Sequence, residues 1–106
     1  MIIASLLHLE LQLTRDLREC TPPTSRADIV AEHRASEMDS CRDQLERAYA
    51  RFVRPTVGRD STEVLVCHGN VIRWFVCQVL GADPMLWSNM GIGHCKIGRA
   101  SCRERV

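Results

Sequence analysis

Residues 63–73 constrain the fold of this chain more than any other segment. They begin with Val-Leu-Val at 64–66, an apolar and largely β-branched run that is typical of a strand buried on both faces. The run ends in Cys-His-Gly-Asn at 67–70, where a glycine permits a tight turn and lets the backbone come close to a ligand. Apolar residues then recur at helical spacing over residues 71–80. The segment therefore predicts a strand, a turn that contains a titratable histidine, and a helix.

The predicted turn has the layout of an anion-binding site. His68 follows the strand at its carboxyl end, and the amino end of the next helix offers unpaired N–H groups. The alternative is architectural, since any strand-to-helix connection needs a turn and a single histidine is often only structural. On these residues alone, a phosphate-type site is favoured over the architectural interpretation.

Residues 67–73, Cys-His-Gly-Asn-Val-Ile-Arg, also resemble a known motif. Placed after an apolar strand, they are similar to the second histidine motif of the histidine phosphatase superfamily, the phosphoglycerate-mutase-like proteins. The resemblance runs from about residue 63 to residue 95, and shorter matches lie at 17–23 and 45–49. It implies a three-layer α/β fold whose active site lies at the carboxyl ends of the strands.

The resemblance also implies roles for individual residues. In the family a histidine nucleophile attacks the phosphoryl group in line and forms a phosphohistidine, which water then hydrolyses. His68 matches the second, phosphate-binding histidine, and the N–H of Gly69 is expected to add a hydrogen bond there. Glu19, in Leu-Arg-Glu, matches the acid that protonates the leaving serine or threonine oxygen; the alternative for it is an exposed loop carboxylate.

One part of the family's catalytic machinery has no match in the sequence. The nucleophile belongs to an Arg-His-Gly motif, and no Arg-His pair occurs in the 106 residues. We therefore expect residues 1–95 to be the carboxyl-terminal part of a histidine phosphatase domain that lacks the first strand, and the chain alone to be inactive. An uncovered strand edge favours association, so the alternative function is an inactive form that acts only in protein–protein association.

A cysteine-based phosphatase is a further alternative. Cys67 and Arg73 have the C-x5-R spacing of that class, in which a thiolate attacks and the arginine clamps the phosphate. Against it, the glycine follows the cysteine by two places rather than three, Trp74 stands where Ser or Thr is usual, and Val71 and Ile72 are bulky for a loop of exposed amides. The histidine interpretation is favoured.

The last eleven residues are expected to lie outside the domain. Residues 97–106 resemble the in-frame translation of a widely used sequencing adapter, so 96–106 is predicted to be a read-through tail; the alternative is a basic tail that binds an acidic partner. The chain has 14 basic and 13 acidic residues, of which four basic and one acidic lie in this tail. Residues 1–95 therefore carry a net charge of −2, and nothing in them indicates a nucleic-acid partner.

Partners, cofactors and location follow from the same residues. The resemblance implies a phosphoserine or phosphothreonine protein substrate, no cofactor, a homo-oligomer formed through the parent protein, and the mitochondrial outer membrane. Five widely spaced cysteines remain without the tail and form no C-x-x-C pair, which predicts no metal site and a reducing compartment. The apolar start, residues 1–7, is too short to span a membrane.

The remaining elements are predicted from periodicity. Leu9, Leu11 and Leu13 alternate with polar residues as in a strand with one wet face. Residues 20–28 are predicted as a loop, with Asp28 as the cap of a long helix over 29–53. The second half of that helix has an apolar stripe expected to pack on the sheet, formed by Leu45, Tyr49, Phe52 and Val53.

Overall fold

The computed structural model describes residues 8–91, and their regular structure is helical. A short 3-10 helix, Arg15–Leu17, is followed by helices α1 (Ala27–Val30), α2 (Ala35–Phe52) and α3 (Gly69–Val79), and by a second 3-10 helix, Pro84–Asn89. The long helices α2 and α3 pack on each other, and the two 3-10 helices cover them. The predicted tail, residues 96–106, lies outside the described residues.

The core lies between α2, α3 and the second 3-10 helix. Leu45 and Val71 are completely buried, and the Tyr49 and Phe75 rings meet edge to face with their centroids 5.7 Å apart. Such an aromatic pair contributes about 0.5–1.5 kcal/mol beyond the apolar area that it buries. The cluster consists of Cys41, Leu45, Ala48, Val71, Trp74, Phe75, Cys77 and Trp87.

Helix α3 confirms the predicted helix after the histidine turn, although its buried face differs from the expected one. Val71 and Trp74 are buried, whereas Val79 and Leu80, which the periodicity assigned to the apolar face, are 43% and 73% exposed. The helix ends in a Schellman motif: the Ala82 N–H donates to the Cys77 carbonyl, and the Gly81 N–H donates to the Gln78 carbonyl. Gly81 adopts φ +69°, a conformation that favours glycine.

The predicted long helix over 29–53 is wrong, because the chain forms two helices instead. Arg34 has an extended conformation (ψ 141°), which interrupts the helical hydrogen bonds between α1 and α2. Asp28 does not cap a helix; Arg26 holds that position in α1, and its guanidinium binds the Asp28 carboxylate at 2.6 Å. This hydrogen bond lowers the pKa of Asp28. The apolar stripe of the second half is present, with Leu45 buried and Tyr49, Phe52 and Val53 packed against the core, but within the described residues it packs on α3 and not on the expected sheet.

The two strands expected from the sequence are not formed within residues 8–91. Residues 63–67 form no hydrogen-bonded strand ladder. Their side chains alternate in burial: Leu65 and Cys67 pack against the core, whereas Val64 and Val66 are 55% and 49% exposed. Burial on both faces was therefore wrong for this segment. Leu9, Leu11 and Leu13 are also exposed. A strand needs a neighbour for its N–H and C=O groups, and the described chain supplies none.

The cysteines differ from the expectation of fully reduced thiols. Cys20 and Cys41 form a disulfide with their Cα atoms 5.7 Å apart, while Cys67 and Cys77 are free. The bond joins the loop after the first 3-10 helix to α2. Closing a ring of this length stabilises a fold by about 3 kcal/mol in the chain-entropy treatment. The reducing compartment itself stays a prediction.

Substitution of Leu45 tests the packing of α2 on α3. Leu45→Ala is expected to lower the free energy of unfolding by about 2–5 kcal/mol, because it removes a fully buried side chain and leaves a cavity. Leu13→Ala is the matched control, because Leu13 is 88% exposed, and it should change that free energy by no more than about 0.5 kcal/mol. Urea unfolding without reductant measures both. Equal losses in the two variants would contradict the described core.

Candidate functional site

His68 lies where the sequence predicted it, at the amino end of α3. It is the N-cap residue with extended backbone (φ −115°, ψ 167°), and its carbonyl accepts a hydrogen bond from the Ile72 N–H at 3.0 Å. The imidazole forms no capping hydrogen bond, and the residue is exposed. No side-chain hydrogen bond from residues 8–91 occupies its ring nitrogens, which can bind a ligand at the positive end of the helix dipole.

Gly69 begins α3, and its backbone does not require a glycine. Its φ lies outside the left-handed region, so the tight turn predicted from glycine at this position is not what the structure shows. A Cβ at residue 69 would lie 4.0 Å from the Arg73 guanidinium carbon, an ordinary van der Waals distance. The missing side chain therefore leaves room beside the helix amino end.

Glu19 lies on a loop whose backbone is held on both sides of it. The Gln44 side chain, 9% exposed on α2, donates to the Asp16 carbonyl at 3.1 Å and to the Arg18 carbonyl at 2.9 Å. On the other side, Cys20 forms the disulfide with α2, and its carbonyl accepts a hydrogen bond from the Asn70 side chain at 2.9 Å. The Glu19 side chain itself is exposed. The backbone on both sides of Glu19 is thus held in place, while the Glu19 carboxylate is exposed to solvent.

The same loop is tied further along to the second 3-10 helix. The Trp87 indole N–H donates to the Pro23 carbonyl at 2.9 Å, and the hydroxyls of Thr24 and Ser88 are 2.6 Å apart. Arg26 also donates to the Ser88 carbonyl at 3.1 Å. Thr24 is buried, so its hydrogen bonds satisfy a group that would otherwise be costly to enclose. Loop 18–26 is therefore attached to three separate elements.

Both predicted site residues, Glu19 and His68, influence the pKa of Cys67. Burial raises the pKa of the Cys67 thiol, and the negative charge of Glu19 raises this pKa further, although the His68 N–H opposes the shift. The geometry agrees, because the Asn70 side chain, two residues after His68, donates to the carbonyl of Cys20, which follows Glu19. The structure therefore brings Glu19 and His68 to the same end of α3.

The sequence analysis gave no role in the histidine site to three side chains, those of Asn70, Arg73 and Gln44. Asn70 and Arg73 form a hydrogen bond, with Nη1 of the guanidinium donating to Oδ1 of the amide at 3.0 Å. Gln44 shares a helical face with Cys41 and Ala48. A polar amide on an otherwise apolar stripe is the signal that could have identified it as an anchor.

The described part of the chain contains neither a candidate metal site nor a membrane-spanning helix. Between residues 8 and 91, no group of three His, Cys, Asp or Glu side chains lies close enough to hold a metal ion. None of the helices described over the same residues is long and apolar enough to cross a membrane.

Comparison with known proteins places the chain in a family. Residues 23–105 match the profile of the histidine phosphatase superfamily, branch 1. Three similar curated proteins are each named as a mitochondrial serine/threonine-protein phosphatase Pgam5. The one from Caenorhabditis elegans is 39% identical over 65 residues, covering 58% of this chain and 23% of its own length.

The other two relatives give the same result over a slightly shorter stretch. The Caenorhabditis briggsae protein is 39% identical and the Xenopus tropicalis protein 37% identical, each over 57 residues that cover 51% of this chain. Each alignment covers 20% of the relative. The chain thus spans about a fifth of the length of these relatives. Glu19 precedes the residues matched to the family.

The position of Glu19 beside Cys67 can be tested by thiol titration. Glu19→Gln is expected to lower the pKa of Cys67, because a nearby negative charge disfavours the thiolate, and to leave it above the ordinary thiol value, because burial is the larger cause. The rate of Cys67 alkylation by iodoacetamide against pH, followed by peptide mass mapping, measures it. Glu37→Gln, an exposed carboxylate in the first turn of α2, is the control. An identical profile in both variants would place Glu19 away from Cys67.

Proposed function

The chain belongs to branch 1 of the histidine phosphatase superfamily, and we propose that it forms part of a phosphoprotein phosphatase that hydrolyses phosphoserine and phosphothreonine. The observation that carries the proposal is the exposed His68 at the amino end of α3, inside the segment matched to the family. The names of the curated relatives support this substrate class and a mitochondrial location, which we propose to be the outer membrane.

The proposed chemistry is stabilisation of charge on a transferring phosphoryl group. A phosphohistidine forms on a histidine that the Arg-His-Gly motif supplies, and water hydrolyses it. In its cationic form His68 donates to the equatorial phosphoryl oxygens, and the N–H of Gly69 adds a neutral donor at the helix end. His68 and the first-turn amides both belong to the amino end of α3, which suits an oxyanion.

Glu19 is proposed as the general acid. Its backbone is held between the Arg18 and Cys20 carbonyls, the second of which is bonded to Asn70 at the amino end of α3, and its carboxyl is exposed. A carboxyl held near the phosphate site can protonate the serine or threonine oxygen as it leaves. General acids of this kind act from a fixed position, which the anchored loop provides.

The cysteine-phosphatase alternative is disfavoured by two observations. A nucleophilic cysteine needs a lowered pKa, whereas the pKa of Cys67 is raised. The phosphate cradle of that class also needs free loop N–H groups, but the residues after Gly69 are helical and the Ile72 N–H is bonded to the His68 carbonyl. The histidine mechanism requires neither a thiolate nor a cradle between Cys67 and Arg73.

A role in association is the second candidate. Val64, Val66 and Leu13 lie outside the helices and expose apolar side chains, at 55%, 49% and 88%. In a complete three-layer α/β domain such segments pair as strands, and we propose that residues 63–67 form one there. The same segments could instead mediate a homo-oligomer of an inactive chain.

Turnover in a chimera tests the role of His68. Residues 14–91 replace their counterparts in the Caenorhabditis elegans phosphatase, and phosphopeptide hydrolysis is measured. His68→Ala is expected to lower turnover by about 10²–10³, because one donor to the phosphoryl oxygens is lost. His33→Ala is the matched control and should have no effect, and the 106-residue chain alone should give no turnover.

Cys67→Ser separates the two enzymatic mechanisms in the same chimera. Activity close to that of the parent chimera is expected, because the thiol is not the nucleophile. If Cys67→Ser abolishes turnover while His68→Ala retains it, the cysteine mechanism is correct. Turnover by the isolated chain that depends on His68 would show that the Arg-His-Gly motif is dispensable.

The leaving group reports on Glu19. Glu19→Gln is expected to slow hydrolysis of a phosphoserine peptide by about 10²–10⁴, the usual contribution of a general acid. Hydrolysis of p-nitrophenyl phosphate should be slowed far less, because p-nitrophenolate leaves without a proton. Equal slowing of the two substrates would indicate a defect in folding or binding, and no slowing would exclude Glu19 as the acid.

A further inference from the structure

The Arg73 side chain lies back over the first turn of α3 instead of extending into solvent. Its guanidinium carbon is 4.0 Å from the position that a Cβ on Gly69 would occupy, and its Nη1 donates to the Asn70 Oδ1 at 3.0 Å. The Nε atom is buried and has no hydrogen-bond partner within residues 8–91. Among the residues that the structure describes, no carboxylate forms a salt bridge with Arg73. Its main polar contact is thus a neutral amide.

That contact fixes the orientation of the Asn70 amide. With Oδ1 facing the guanidinium, the Nδ2 group faces the other way and donates to the Cys20 carbonyl at 2.9 Å. Reversing the amide would place a donor against a donor and an acceptor against an acceptor, so the two bonds support each other. A cation on the carbonyl side of an amide also polarises it and strengthens the bond made by its N–H.

The chain of bonds joins the two halves of the proposed site. Asn70 follows His68 by two residues, and Cys20 is next to Glu19. We propose that Arg73 is a positioning residue that acts through Asn70 to hold the Glu19 loop at a fixed place relative to His68. The inference rests on the proposed function for its catalytic consequence, although the mechanical link between Arg73 and the loop can be tested without any activity.

The link is tested first in the 106-residue chain, with Cys67 as the reporter of the Glu19 loop. Arg73→Met keeps an apolar stem but removes the donor, and Asn70→Ala removes the next bond. Each variant is expected to raise the alkylation rate of Cys67 by iodoacetamide several-fold at a fixed mildly alkaline pH, because the loop loses its bond to α3 while it keeps the disulfide to α2, and the Glu19 carboxylate can shift away from the thiol. The double variant should be no faster than Asn70→Ala, since both changes break one chain of bonds.

Two further variants show whether the effect belongs to this contact. Arg73→Lys retains a cation that can reach Oδ1, and it should restore the wild-type rate. Arg42→Met, which removes a partly exposed arginine of α2 paired with Asp39, should not change it. A Cys67 rate that is unchanged in Arg73→Met, or that rises additively in the double variant, would overturn the proposed link.

The catalytic consequence is tested in the chimera. Arg73→Met is expected to slow phosphoserine hydrolysis by about 10²-fold, the scale of a small misplacement of a catalytic group, and to slow p-nitrophenyl phosphate hydrolysis much less. In a chimera that already carries Glu19→Gln, Arg73→Met should not further increase the difference between the losses on the two substrates. Equal losses on both substrates would make Arg73 a stabilising residue only and would overturn its positioning role.

The two experiments separate the possible failures. If the chimera is inactive in every version, the proposed function fails while the Cys67 rates still decide whether Arg73 holds the loop. If the chimera is active and responds to His68→Ala but not to Arg73→Met, the proposed function stands and the positioning role is wrong.

Discussion

The packing of α2 against α3 is the contact on which the rest of the structure depends. Leu45 and Val71 are fully buried between these helices. The side chains that hold the Glu19 loop belong to α2, to α3 or to the 3-10 helix that packs on α3. Gln44 and Cys41 belong to the same turns of α2 as Leu45, and Asn70 is next to Val71. The residues that build the core thus alternate with the residues that hold the site.

The anchors of the loop share a chemical character. Gln44 and Asn70 are neutral amides that donate to backbone carbonyls, and Trp87 donates to another through its indole. Buried amides of this kind satisfy carbonyls that would otherwise lose water without compensation. Because the Gln44 and Asn70 anchors on either side of Glu19 are uncharged, they place no charge beside its carboxylate, whose negative charge helps to raise the pKa of Cys67.

The sequence predicted local features of the site better than the contacts that assemble it. The start of α3 and the position of His68 followed from an apolar period and a turn, both of which are encoded within a few residues. The sequence predicted a strand at 63–67 that the structure does not form. Strand pairing depends on a neighbouring chain segment, and the described residues offer none. The disulfide joins residues 21 apart in sequence, and spacing alone does not reveal it. The Asn70–Cys20 bond spans 50 residues and has no sequence signal of its own.

The disulfide also makes the chain a closed ring between Cys20 and Cys41, and the exposed break before α2 lies inside that ring. Residues 31–34 have few buried side chains and no continuous helix, which is the setting in which proteases cut. A single cut there opens the ring without dividing the molecule. The severed ends would remain covalently joined, so the nicked protein would migrate as one species on a denaturing gel until reductant separated the two pieces.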